Sequence, residues 1–154
     1  VSLLTAGLIL SLSQGAGVVG RLVWGYVADR WMAPNLVLSL LAFAMAVASM
    51  VTATFEPDWS LLAVGLVSVV FGATAIGWNG VYLARVAQLA PPGQAGVFTG
   101  GTLFFTFFGV VLGPPAFALL VGATGTFAAG YVGIGVCILL VGAALLYAEL
   151  KDKS

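Results

Sequence analysis

Gly20-Arg21-Leu22-Val23-Trp24-Gly25-Tyr26-Val27-Ala28-Asp29-Arg30-Trp31 is the stretch on which the fold turns. It ends a long apolar run in the adjacent charges Asp29 and Arg30, and the chain turns at Ala33-Pro34 before the next apolar run begins. About 20 mostly apolar residues are enough to cross a bilayer as a helix, so the charged pair marks a membrane surface. Gly25, one turn before Asp29, is expected to let another helix approach closely.

The composition extends that reading to the whole chain. Of its 154 residues 62% are hydrophobic and 6% are charged, and there is no histidine. Mean hydropathy is +1.18. A soluble domain covers its surface with about 25% charged residues, so a soluble globular fold is excluded. The net charge is zero with no basic cluster, which argues against a nucleic-acid partner. Cys137 stands alone and cannot form an internal disulfide; it reads as a small residue facing lipid or another helix.

Apolar runs divide the chain into five spans, at about 4–28, 35–54, 60–88, 96–121 and 127–148. The breaks fall at Asp29-Arg30 with Pro34, at Glu56-Pro57-Asp58, at Pro91-Pro92-Gly93 and at Gly122-Ala123-Thr124-Gly125-Thr126. Backbone groups in hydrocarbon must bond within their own segment, so the spans are helices. The alternation of a membrane barrel is absent. The fold class is an all-α membrane protein with five transmembrane helices. Arg30, Arg85, Lys151 and Lys153 all fall on one side of this layout, which the positive-inside rule makes cytoplasmic. The first residue then starts outside and the C-terminus lies in the cytoplasm.

Gly25, Asp29 and Arg30 resemble the loop signature of the major facilitator superfamily, roughly G-x-x-x-D-R-x-G-R-R. Met32, Ala33 and Pro34 stand where its glycine and two bases would be. Gly77-Trp78-Asn79-Gly80-Val81-Tyr82-Leu83-Ala84, Leu89-Ala90-Pro91-Pro92-Gly93 and Thr99-Gly100-Gly101 look like the tenth and eleventh helices of bacterial permeases in that superfamily. The resemblance implies that the chain, which opens on Val1, is a C-terminal fragment carrying helices eight to twelve. It implies a secondary transporter that moves a small solute across the inner (plasma) membrane by alternating access. Its partners would be the lipid bilayer, the missing N-terminal half and the solute. The resemblance also places 60–88 at the substrate path, 4–28 and 96–121 at the moving interface, and 35–54 and 127–148 outside. A non-transporting subunit or scaffold, binding a partner through small-residue faces, is the reading from a different class.

Within the third span Thr74, Trp78, Tyr82 and Arg85 share one helical face, with Asn79 beside it. Asn79 either binds solute or bonds a neighbouring helix, and the two aromatics either stack on solute or pack. On the first span Ser11, Gln14, Val18, Arg21 and Gly25 share a face. Arg21 either meets an anionic solute or gates, or else snorkels to headgroups or pairs with the missing half. Asp29, by resemblance, caps a helix of the opposite half, where a carboxylate meets the positive end of the dipole. Arg85 takes a place where the family often has an acid. In the fourth span Thr99, Thr102, Thr106, Gly109 and Gly113 recur at helical spacing as a small, weakly polar face, suited to rocking or to static packing. Pro114 and Pro115 are expected to kink it. No metal site, catalytic group or cofactor is expected, since there is no histidine, no cysteine pair, no carboxylate cluster and no phosphate loop; an enzyme is not expected either.

Overall fold

The computed structural model describes residues 2–152, so Lys153, counted above among the bases of one side, lies outside the described residues. The chain is all-helical: α1 (Leu3–Arg30), α2 (Pro34–Ala53), α3 (Leu61–Ala75), α4 (Trp78–Leu89), α5 (Ala95–Thr124) and α6 (Phe127–Lys151). Counting α3 and α4 as the single span Leu61–Leu89, five helices are long and apolar enough to cross a membrane. That fits a multi-pass membrane protein.

Local chemistry sets the ends. Ser2, Ser60 and Thr126 cap α1, α3 and α6, each side chain accepting a backbone N–H of the first turn. Pro34 opens α2 in the first turn, where its missing N–H has no intrahelical partner to lose. Gly125 closes α5 with φ 73°, a left-handed conformation that glycine adopts without strain. Pro114 and Pro115 lie inside α5, which continues through both as one helix.

The centre of the packing is α2. Val37, Leu38, Ser39, Leu41, Ala42, Ala46, Ala48 and Ser49 are all buried on it, and 44% of its most apolar window is enclosed, against 17% for α6. The helix expected on the lipid side thus has one face buried against its neighbours, while Leu40 and Val47 stay exposed on the other. A helix that is apolar all round suits lipid and a helix-lined interior equally. The discriminating signal is the small stripe Ser39, Ala42, Ala46 and Ser49, which lies against the glycines of α6. Ser39 donates to Gly142 O at 2.8 Å and Ser49 to Tyr131 O at 2.7 Å. A Cβ on Gly142 would come 3.0 Å from Ala42 Cβ, and one on Gly135 2.9 Å from Met50 Cε. Residue numbers fall on α6 as they rise on α2, so the two helices run antiparallel.

A parallel seam joins α1 to α3. A Cβ on Gly20 would sit 2.5 Å from Ala73 O, and one on Gly17 2.6 Å from Ile76 Cβ; one on Gly72 would collide with Ser13. These glycines let two backbones meet. Gly25 does not: a Cβ there would meet nothing within 4 Å. The close approach expected at Gly25 thus occurs one to two turns earlier, where α3 crosses. Parallel α1 and α3, with α2 and α6 antiparallel, bring Arg30, Arg85 and Lys151 to one end of the molecule, as the layout required.

Two other expectations change. The third span, expected as one helix over about 60–88, is interrupted at Ile76-Gly77. The span at 127–148 runs on to Lys151, so Glu149 is a helical residue, only 7% exposed, not a residue at a free end. Extended by two turns, the α2–α6 register puts it level with the α1–α2 turn. In contrast, α5 has no buried residue.

Candidate functional site

The interruption of the third span builds the site. In a continuous helix the Ala73 and Ala75 carbonyls would accept from the Gly77 and Asn79 N–H groups. Here Ala73 O accepts the Trp24 indole N–H at 3.0 Å, and Ala75 O accepts the Trp78 indole N–H at 2.9 Å. A side chain inserted into the ladder is an established cause of such a break. It falls near the middle of a 29-residue span. Ile76 and Gly77 keep right-handed helical dihedrals, and the Ile76 N–H still bonds Gly72 O, so the span is interrupted by lost ladder bonds rather than unwound.

Beyond the break, α4 turns Trp78 and Tyr82 into a cleft of ≈ 430 Å³ between α2 and α6. Their rings lie 5.3 Å apart, inclined at 60°. Leu38, Ala42 and Met45 form the α2 wall, and Cys137, Ile138 and Val141 the α6 wall. With the Trp78 N–H already bonded to Ala75, the Tyr82 hydroxyl and the Cys137 thiol are the polar side-chain groups along this apolar lining.

The structure does not keep Thr74 with these aromatics. Thr74 is buried, its hydroxyl bonds Val70 O at 2.9 Å and Phe71 O at 3.1 Å, and it borders a separate pocket with Trp24, Val37 and Leu41. The single face inferred for Thr74, Trp78 and Tyr82 needed a continuous helix. Asn79 and Arg85 share α4 with the aromatic pair, and the buried Asn79 Oδ1 and Arg85 Nε have no hydrogen-bond partner among the described residues. Asn79 therefore makes no bond to a neighbouring helix through Oδ1.

On α1, Gln14 and Arg21 are exposed, and the Arg21 stem lies across α4: a Cβ on Gly80 would be 3.2 Å from Arg21 Cγ. Asp29 and Arg30 are exposed at the end of α1. On α5 the Thr102 and Thr106 hydroxyls bond back to Thr99 O and Thr102 O, each at 3.0 Å, while Gly109 and Gly113 meet nothing within 4 Å. Thr102 and Thr106 are half-buried, and the glycine end of that face is open. Sequence reasoning missed Trp24, Gly77 and the α2 serines. Nothing in the local sequence signalled the first two, because the Trp24 indole acts on a helix 49 positions further on. No protein-family model, curated protein or solved structure matches this chain.

Proposed function

We propose that the chain is the C-terminal part of a permease of the major facilitator type, moving a small solute across a bacterial inner membrane by alternating access. The observation that carries the proposal is the mid-span break, with an aromatic pair and an unpartnered Asn79 Oδ1 beside it. Transporters characteristically place solute sites at discontinuous helices near the membrane midplane. The loop residues Gly25, Asp29 and Arg30 support the family, and the end shared by Arg30, Arg85 and Lys151 supports a cytoplasmic C-terminus. Candidate solute contacts are Trp78, Asn79 and Tyr82, with Gln14 and Arg21 on the open face of α1. Thr102, Thr106, Gly109, Gly113 and Pro114 would meet the opposite half.

The absence of any buried residue on α5 favours one other reading, a non-transporting membrane subunit that binds a partner through that helix. Reconstitution of the full-length protein in liposomes separates the two. Solute uptake above that of protein-free liposomes, lost in Asn79→Ala with the protein still inserted, is the expected result. No uptake across a broad panel of labelled solutes would favour the subunit.

A further inference from the structure

Trp24 belongs to the seam between α1 and α3, not to the aromatic cleft. Its indole nevertheless reaches the cleft's origin. The N–H donates across the seam to Ala73 O, on the helix turn immediately before the break. The bond depends on glycine at three places. Gly20 lets α1 come against Ala73. Gly17 accommodates Ile76. Gly77 leaves room for the tilted carbonyl and for the indole: a Cβ there would collide with Ala73 O and lie 2.7 Å from Trp24 Cδ1. Any other residue at position 77 would push both away.

Two arrangements of the third span compete for the same carbonyl. In the one observed, Ala73 O is bonded to Trp24, the span is interrupted, and α4 points Trp78 and Tyr82 between α2 and α6. In the other, Ala73 O returns to the Gly77 N–H, the ladder closes through residues 76 and 77, and an alanine at 77 is tolerated as in any helix. Ile76 departs from ideal helix in φ while Gly77 stays close to it, so closing the ladder turns α4 modestly about its axis, shifting Trp78 and Tyr82 towards the line of Thr74 and away from the cleft. The two arrangements differ by an exchange of hydrogen-bond donors, so a small bias selects between them.

We propose that Trp24 is a positioning residue for the cleft: its indole N–H holds the third span open at Ile76-Gly77 and thereby aims Trp78 and Tyr82 between α2 and α6. Its consequence for transport rests on the function proposed above; the latch itself is tested without any solute. The full-length protein in nanodiscs is compared with Trp24→Phe, which keeps a ring in the seam and loses the donor, and with Gly77→Ala. Backbone hydrogen exchange over residues 75–82 and maleimide labelling of Cys137, which is exposed on the cleft wall, are read by mass spectrometry.

In both variants exchange at residues 77–79 should slow by about tenfold, the scale of one net intramolecular hydrogen bond. Labelling of Cys137 should rise as the two rings leave the cleft. Exchange and labelling at wild-type rates in either variant overturn the proposal. Faster exchange at 77–79 also overturns it, because Trp24 would then only be packing. A wild-type protein that moves no solute, yet shows the slowed exchange in both variants, would sink the transporter reading and leave the latch standing.

Discussion

Ser39 is completely enclosed, and its hydroxyl donates to the Gly142 carbonyl at 2.8 Å across the α2–α6 contact. Gly142 has no side chain, so the serine approaches the α6 backbone directly. Interhelical hydrogen bonds in membranes average about 0.6 kcal/mol and reach about 1.7 kcal/mol, because the separated helices also find partners. Ser39→Ala should therefore cost within that range, with little volume change to add to it. The unfolding midpoint in mixed detergent and dodecyl sulfate measures it, and a loss well above that range would mean that Ser39 anchors more than one bond. Asp29 is exposed at the end of α1, where the proposed function gives it a helix N-terminus of the opposite half. A carboxylate there is worth about 0.3–1 kcal/mol. Asp29→Asn in the full-length protein should shift the ensemble towards states open to the cytoplasm by about two- to fivefold, since about 1.4 kcal/mol is tenfold. Cysteine-accessibility labelling on both faces reads the shift; identical labelling on both faces would remove the capping role.

At the scale of the element, two glycines on α1 separate a seam from an open face. A Cβ at Gly20 would reach within 2.5 Å of Ala73 O, whereas one at Gly25 would meet nothing within 4 Å. Overpacking a close contact typically costs about 1–3 kcal/mol. Gly20→Val should lower stability by that amount and Gly25→Val by far less, apart from the β-branched helix penalty common to both. Equal losses in the same unfolding assay would show that the α1–α3 contact is not held at Gly20. The contrast also explains what the sequence could and could not disclose. Charges, prolines and Gly122–Thr126 bounded the five spans to within three residues of the observed ends, because those residues are costly or strained inside a lipid-facing helix. Which faces met was harder to read. The apolar residues of α2 suit lipid and protein alike, so its central position was legible only in the stripe Ser39, Ala42, Ala46 and Ser49. The break at Ile76-Gly77 was hidden for another reason: neither residue forbids helix, and the partner that draws away Ala73 O comes from Trp24, 49 positions earlier. Trp78 and Tyr82 were legible as a pair, and their cleft was not, since its walls come from α2 and α6.

For the whole molecule, the distribution of acids decides where proton coupling can reside. Ionisable groups within a membrane are costly and therefore signal function. Among the described residues Glu56 and Asp58 sit in the α2–α3 loop, Asp29 is exposed at the end of α1, and Asp152 follows α6. Glu149 differs from these in being a buried residue of α6. Yet it lies two residues from the end of that helix, with the α2–α6 register putting it level with the α1–α2 turn, remote from the mid-span break. The groups at the break itself, Asn79, Trp78 and Tyr82, include no carboxylate or histidine. They can bind a neutral solute or part of a charged one without carrying the coupling proton. If the proposed transporter is driven by a pH gradient, its proton carrier should therefore not be one of the acids of this chain. The test replaces Asp29, Glu56, Asp58, Glu149 and Asp152 by their amides, one at a time and then together, in the full-length protein. Uptake driven by a pH gradient should persist in each single variant, with Asp29→Asn changing rate but not the requirement for the gradient. Loss of gradient-driven uptake in Glu149→Gln, with solute exchange across the membrane still intact, would instead make the buried end of α6 the proton site. The coupling path would then run along the α2–α6 contact, away from the mid-span break proposed as the solute site.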